Sequence, residues 1–354
     1  MIYQTIGNPS VGIVSFAHYH ANFWAEALND HTQASLSGIW DANASRGKEA
    51  ADRFNTSFYA SLDDLLAASD AVAICSENAN HAEHIGAAVK GNCHVLCEKP
   101  IATSVASALQ VREVVRAGTV IYMQSFPKRF DPMSHELKRI VDSGQLGRLH
   151  TARMRHGHYH GLDPEFRQQW YTDPVLGGGG ALLDEGIHAA DLLCWLFGVP
   201  RNVVAMISSA TLGLKVDDTA LALFAYDSGM LAEIVSSSVF QAADASIELY
   251  GDKGTAIVSG VDLASRDITD SGFLKVFNAQ QPERIWQVSE LVPRFKLGEF
   301  HHQNLLGFVD CLVAGKAPPI SIEDGIRALA LVESAYTAAN SGVRQDINIE
   351  QQLT

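Results

Sequence analysis

Short apolar runs and helical patterns alternate through the first third of the chain. The runs are Val11–Phe16, Leu36–Trp40, Ala71–Cys75, His94–Cys97 and Val120–Met123, rich in Val, Ile and aromatic residues. Amphipathic stretches separate them, around Ala21–Asn29, Arg46–Phe54, Leu62–Ala68, Ala82–Lys90 and Ser104–Arg116. A strand that is apolar on both sides must be covered on both sides. The alternation therefore predicts a parallel sheet between two layers of helices. Right-handed crossovers make such a sheet doubly wound, with ligands beyond the carboxyl ends of its strands.

After about Phe126 the pattern changes. A helix is expected over Met133–Ser143, ended by Gly144 and Gly147, and a strand from Leu149. Asp184–Phe197 reads as one long helix closed by Gly198 and Pro200. From Asn202 to Ser259, alternating or apolar runs are separated by turn signals: Asp217-Asp218, Asp227-Ser228-Gly229 and Gly251-Asp252-Lys253-Gly254. That predicts a largely antiparallel meander, hence a second, α+β domain. Helical patterns return at Gln303–Ala314 and Ile322–Ser341. The fold class expected is α/β, with residues 1–126 forming the doubly wound domain and 127–354 the α+β domain. The meander carries more apolar residues than one helical layer covers. An open sheet face and a homo-oligomer, dimer or tetramer, are expected from this.

Composition narrows the function. The 354 residues suit about two domains. With 47% apolar and 19% charged residues, burial offsets chain entropy and wholesale disorder is excluded. Lys plus Arg is 26 against 40 Asp plus Glu, a net charge of −14, which argues against nucleic acid and anionic membranes as main partners. The five cysteines are too few and too odd in number for a disulfide scaffold. Cys93 and Cys97, on one strand, would lie about 13 Å apart, beyond disulfide reach. Free thiols, no signal-peptide pattern in Met1–Ser10 and no long apolar span lead to the expectation of a cytoplasmic protein.

Four places carry candidate chemistry. The turn after the first strand has Ser15, Ala17 and His20 where a Gly-x-Gly-x-x-Gly phosphate loop has glycines. Small residues at the first two places still permit close approach of a phosphate to helix amides. Asp41 ends the second strand, where a carboxylate can accept both ribose hydroxyls of adenosine and repel a 2′-phosphate. NAD is therefore favoured over NADP, with Arg46 able to soften the preference; a solvated strand-end carboxylate or helix cap is the plain alternative. Glu98-Lys99-Pro100 ends a buried strand, and the Lys99 ammonium can stabilise charge on a substrate oxygen. The plain alternative there is a surface Glu98–Lys99 pair. Pro100 can also fix a tight turn through a cis bond.

The fourth place is the run from Gly177 to Asp191. Four glycines let backbone approach a ligand, and Asp184 and His188, at i and i+4, share one helix face. A carboxylate one turn before a histidine can orient it as a general base; an amphipathic helix with a partly buried histidine is the alternative. His156, His158 and His160 alternate along an expected strand. They can line a polar pocket or, with Asp184 or His188, ligate zinc, the basis of a metal-dependent hydrolase or isomerase reading. No metal is the expectation. Histidines, tyrosines and Arg167 around residues 155–171 suit a hydroxyl-rich ligand.

In combination and order, these motifs resemble the glucose–fructose oxidoreductase/inositol dehydrogenase/rhizopine-catabolism (Gfo/Idh/MocA) family. The resemblance runs through Val72-Ala73-Ile74-Cys75…His81, Glu98-Lys99-Pro100, Arg129-Phe130-Asp131-Pro132 and Ser143-Gly144-Gln145-Leu146-Gly147. It continues through the Asp184/His188 run to Pro318 and Asp324-Gly325. It implies a Rossmann domain, a C-terminal α/β domain whose open sheet makes the oligomer interface, a nicotinamide cofactor, and oxidoreduction of a sugar or cyclitol hydroxyl. Lys99, Asp184 and His188 fall on the family's catalytic trio. The cofactor set implied is Ser15, Phe16, Ala17, His18, Asp41, Arg46, Ser76, Asn78, His81, Glu98, Lys99 and Arg129. The substrate set is Lys99, His158, Arg167, Tyr171, Asp184 and His188. Two departures stand out: Ser15/Ala17/His20 in place of glycines, and Ser76-Glu77-Asn78 in place of a Thr-Pro-Asn-like turn. A redox cycle that retains NAD during elimination or isomerisation, and a non-catalytic NAD- or sugar-sensing protein, are the competing functions.

Overall fold

The computed structural model describes residues 3–242, 245–261, 272–292 and 298–354. The chain groups into two compact units: Met1–Pro127 with Gly298–Ile326, and Lys128–Leu297 with Arg327–Thr354. Two continuous stretches were expected; instead the Gly298–Ile326 segment joins the N-terminal unit. Its helix Glu299–Ala314 buries Phe300, His301, Leu305 and Phe308. The His301 ring lies against His20 of the first helix, with centroids 3.8 Å apart. Local periodicity identified that helix but carries no information about which unit it joins.

The N-terminal unit holds five parallel strands: β1 (Ser10–Val14), β2 (Ser35–Trp40), β3 (Ala71–Ile74), β4 (His94–Cys97) and β5 (Tyr122–Gln124), in the order β2-β1-β3-β4-β5. Every residue of β3 is fully buried, as a strand between two helical layers must be. The chain reverses its direction of winding between β1 and β3. A crevice for a ligand opens at the carboxyl ends of these strands in folds of this topology. Gly12 of β1 permits close packing: a Cβ there would sit 2.8 Å from Leu65 and Ser69.

In the second unit the described residues form a nine-stranded sheet. The strands are β6 (Leu149–Gly157), β7 (Asn202–Ser208), β8 (Thr219–Ala225), β9 (Leu231–Ser237), β10 (Ala245–Gly251), β11 (Gly254–Val261), β12 (Leu274–Asn278), β13 (Trp286–Val288) and β14 (Gln345–Asp346). Their order is β13-β12-β11-β10-β6-β9-β8-β7-β14, antiparallel throughout except for the β6–β9 pair. The expected meander is thus split: β6 lies parallel to β9 and separates it from β10. Burial alternates along β8, where Ala220, Ala222 and Phe224 face inward. The opposite face carries Val204 paired with Leu223 and Met206 paired with Leu221 across β7 and β8, all four exposed. The sheet therefore has an open apolar face.

The expected helix from Asp184 to Phe197 is two helices, Ala181–Asp184 and Gly186–Phe197, jointed at Glu185. Gly198, at φ +80°, ends the second as foreseen. No helix of the described residues is long and apolar enough to cross a membrane.

Candidate active site

The turn after β1 has the backbone shape of a glycine loop without its glycines. Ser15 takes φ +72°, the left-handed region that favours glycine. Its strain is offset by bonding: the Ser15 amide donates to the Trp40 carbonyl at 2.7 Å and its hydroxyl donates to Asp41 at 3.1 Å. Other amides of the turn donate within the protein too. Phe16 donates to Asp41 at 2.8 Å, Ala17 to Ser15 Oγ at 3.1 Å, His18 to the Cys75 carbonyl at 2.9 Å and His20 to His18 Nδ1 at 3.2 Å.

Asp41 is buried and heavily used. Besides Ser15 and Phe16 it accepts from the Asn43 amide at 2.8 Å and from Arg46 Nε and Nη2, each at 2.8 Å. Five donors therefore converge on a carboxylate with about four lone-pair sites. Arg46, about a third exposed, also reaches Glu77 at 3.3 Å. A ribose can be received here only if Arg46 yields part of its fork. The carboxylate is neither solvated nor free.

At the end of β4, Glu98 and Lys99 are both buried, which overturns the surface-pair alternative. The Lys99–Pro100 peptide bond is cis. Glu98 accepts from the Lys99 amide at 3.0 Å and Ser125 Oγ at 3.2 Å, and lies 3.2 Å from His20 Nδ1. His81 is fully buried, its ring nitrogens 2.6 Å from the Pro100 carbonyl and 3.0 Å from that of Ser76. It ties the turn after β3 to the turn that carries Lys99. Burial pulls its pKa below the usual imidazole range, against those two carbonyls. Ser76 Oγ meets His84 Nδ1 at 2.9 Å, and burial together with His81 pulls His84 down to about 4.

In the second unit, the glycine run is anchored by Asp217 and Tyr336. Asp217 accepts from the Gly180 and Leu182 amides at 3.0 and 2.8 Å and from Tyr336 Oη at 2.7 Å, so it caps the helix that ends at Asp184. Burial pushes the Asp217 carboxyl up against the pull of these bonds. Beyond that helix, imidazoles and carboxylates meet. His156 Nδ1 donates to Glu185 Oε2 at 2.8 Å, and the His156 and His188 rings stack 4.7 Å apart at 28°. His158 Nε2 lies 3.6 Å from Asp184 and 3.7 Å from Glu185. Burial alone would raise the Glu185 carboxyl, but the charge of His158 and the bond from His156 outweigh it and hold it at about 2. A recess beside Asp184 is walled by Phe166, Tyr171, Leu214 and Val216.

Residues 10–126 match the oxidoreductase family with an NAD-binding Rossmann fold, and residues 134–257 match the GFO/IDH/MocA C-terminal domain. The chain belongs to the Gfo/Idh/MocA oxidoreductase family. It is 28% identical over 278 residues to the myo-inositol 2-dehydrogenase of Thermotoga maritima, covering 77% of each chain. It is 25% identical over 327 residues to the oxidoreductase YrbE of Bacillus subtilis, covering 90% of this chain and 91% of that one. In fold it is similar to a levoglucosan dehydrogenase in complex with NADH and L-sorbose, with a TM-score of 0.85 and 20% identity over 97% of this chain and all of that one.

Several residues of this family member sit differently from their first reading. Arg129 forks onto Asp191, with Nη2 at 2.6 Å and Nε at 2.9 Å, and both are buried. The alternation of His156, His158 and His160 breaks off, because β6 ends at Gly157 and His160 opens a separate tight turn. His158, Asp184 and Glu185 bring one ligand atom each to within 4.8 Å of one another, a spacing open to a hydrogen-bonded pair or to a metal ion. Tyr171 stacks between Phe166 at 5.2 Å and Trp170 at 4.0 Å, and Arg167 lies half-buried on the same loop. Glu185, Asp217 and Tyr336 were missed. Glu185 was hidden by its neighbour Asp184, and nothing local in the sequence connects Asp217 or Tyr336 with the glycine run.

Proposed function

We propose that this protein is an NAD-dependent dehydrogenase oxidising a hydroxyl-bearing carbon of a sugar, inositol or related polyol. The observation that carries the reading is a family match in both domains, and we assign the catalytic trio to Lys99, Asp184 and His188 by the order of their motifs in the sequence. The left-handed turn at Ser15 and the carboxylate at the end of β2 fit a dinucleotide. Ser15, Phe16, Ala17, His18, Asp41, Arg46, Ser76, Asn78 and Glu98 would hold it, His81 bracing the turn that carries Lys99. The bound nicotinamide supplies the hydride acceptor. His188 takes the hydroxyl proton, a role open to a neutral imidazole whose reference pKa is about 6.5. The Lys99 ammonium donates to the same oxygen and stabilises its developing charge. His158, Arg167 and Tyr171 would contact the substrate's other hydroxyls. Asp41 favours NAD by repelling a 2′-phosphate, and its pairing with Arg46 makes the preference modest.

The test is a sugar and cyclitol panel followed by NADH formation, with product identification. His188→Asn should lower turnover roughly 10²–10⁴-fold on a cognate substrate while NAD affinity stays near normal. Near-normal turnover, with hydride transfer shown to limit the rate, overturns the assignment. A redox cycle with retained cofactor would instead convert substrate with no net NADH.

The open face of the second sheet supports a homo-oligomer, a dimer or tetramer. Met206, 78% exposed, and Leu223, 53% exposed, face away from the helices with Val204 and Leu221. Sedimentation should show association, and Met206→Lys with Leu223→Lys should weaken it. A concentration-independent monomer overturns the proposal.

A further inference from the structure

Where a Thr-Pro-Asn-like turn would place proline, this chain has Glu77, and the structure sets its carboxylate against Arg46. Glu77 Oε1 accepts from Arg46 Nη2 at 3.3 Å. Asn80 Nδ2 donates to Glu77 Oε2 at 3.0 Å and so fixes which oxygen faces the guanidinium. We propose that Glu77 determines dinucleotide specificity: by holding Arg46 it withholds the guanidinium from a 2′-phosphate and keeps the site for NAD. The inference deepens the reading of Asp41 as the ribose carboxylate and rests on it.

A guanidinium recognises a phosphate best through an edge, two parallel N–H groups on two oxygens. The Nε/Nη2 edge of Arg46 already lies on Asp41, with both bonds at 2.8 Å. The Nη1/Nη2 edge needs the second hydrogen of Nη2, and Glu77 shares that hydrogen with Ser15 Oγ, 3.2 Å away. Ser15 is a neutral hydroxyl that also accepts from the Ala17 amide, so it competes weakly with a phosphate. Glu77 is an anion, and a charge-assisted bond is roughly twice as strong as a neutral one. Its charge reaches Arg46: burial works to lower the Arg46 pKa, yet the bond and charge of Asp41 and the charge of Glu77 raise it above the ordinary value. The backbone offers a phosphate no substitute here. The Ser45 and Arg46 amides, at the start of the helix Ala44–Arg53, donate to Asn43 Oδ1 at 3.1 and 3.2 Å. Asp41 and Arg46 cancel each other in charge, which leaves Glu77 as the deciding charge of the three. When a ribose takes Asp41 and Arg46 yields part of its fork, Glu77 is the carboxylate already in place to keep it.

Calorimetric titration of the whole protein with NAD+ and with NADP+ tests this. Glu77→Gln keeps the size of the side chain and removes its charge. It should tighten NADP+ binding about tenfold, on the scale of one charge-assisted bond, and change NAD+ binding far less. In an Arg46→Gln background the same substitution should change NADP+ affinity by no more than about twofold, because the donor it releases is gone. An unchanged NADP+ affinity in a Glu77→Gln variant that still binds NAD+ overturns the proposal. So does an equal gain with and without Arg46, which would make Glu77 a direct repulsive charge and not the holder of Arg46. If Glu77→Gln does not fold, Asn80→Ala frees the far oxygen of Glu77 and should shift NADP+ affinity the same way, by about threefold. No shift there overturns the proposal as well. An unmodified protein that binds neither dinucleotide overturns the cofactor reading itself, and this inference with it.

Discussion

Two turns in this protein invite the same reading and behave in opposite ways. The turn after β1 lacks the glycines of a phosphate loop, yet Ser15 adopts the left-handed backbone that such a glycine supplies. The run Gly177–Gly180 has glycines in abundance and uses the last of them internally. A Cβ on Gly180 would sit 2.0 Å from the Asp217 carbonyl oxygen, and one on Gly179 would sit 2.7 Å from Tyr336 Oη. Glycine content therefore reports how closely a backbone is approached but not by what. A loop keeps its shape without glycine when hydrogen bonds offset the strain, as the Trp40 carbonyl and Asp41 do for Ser15.

The largest effect is expected at Gly180. Gly180→Ala drives a methyl into backbone that cannot rotate away, and should cost roughly 3–5 kcal/mol or prevent folding. Denaturant unfolding followed by circular dichroism measures it. If the variant is as stable as the parent, the Asp217 cap does not set the shape of the run.

The two units should also differ in acid. His84 is held at about 4, below the usual imidazole value near 6.5, so its neutral form is favoured in the fold. The unfolded chain binds that proton first, so the stability His84 supports is full above pH 6.5. It declines as pH falls toward 4, by roughly 3 kcal/mol in all. Glu185, held at about 2, supports stability that is present above the ordinary Glu value and is lost only as pH falls toward 2. Hydrogen exchange from pH 7 to 4 should therefore loosen the helix His81–Lys90 before the Glu185 joint, and His84→Gln should flatten the first change. Simultaneous loosening would refute the difference.

The smallest effects belong to the first turn. Asp41→Ala removes both the repulsion of a 2′-phosphate and the anchor of Arg46, and should shift the NAD-to-NADP affinity ratio about tenfold toward NADP, on the scale of one charge-assisted bond. Calorimetric titration of both cofactors reads it, and a preference for NADP in the unmodified protein would overturn the assignment of Asp41. Ser15→Gly relieves the left-handed strain but forfeits the bond to Asp41, leaving stability within about 1 kcal/mol of the parent.

The sequence by itself determined the elements and the class of fold. The five buried runs of the first domain, the change of pattern after Phe126 and the open apolar face of the second sheet all follow from period and composition. Burial and hydrogen bonding act on a strand or helix through its own residues, so they leave a local trace. It also marked Lys99, Asp184 and His188 as candidates, through motif order. Tertiary structure decided what each carboxylate and imidazole touches. Asp41 is matched by Arg46 five residues away, a pairing local spacing allows. By contrast Asp217 meets Gly180 and Tyr336, His156 meets Glu185, and Glu299–Ala314 returns to the first helix, contacts made between residues tens to hundreds of positions apart. The energy of a hydrogen bond or ion pair depends on distances of a few ångström in space. Chain separation does not enter it, so only the folded arrangement selects among the many partners the sequence permits.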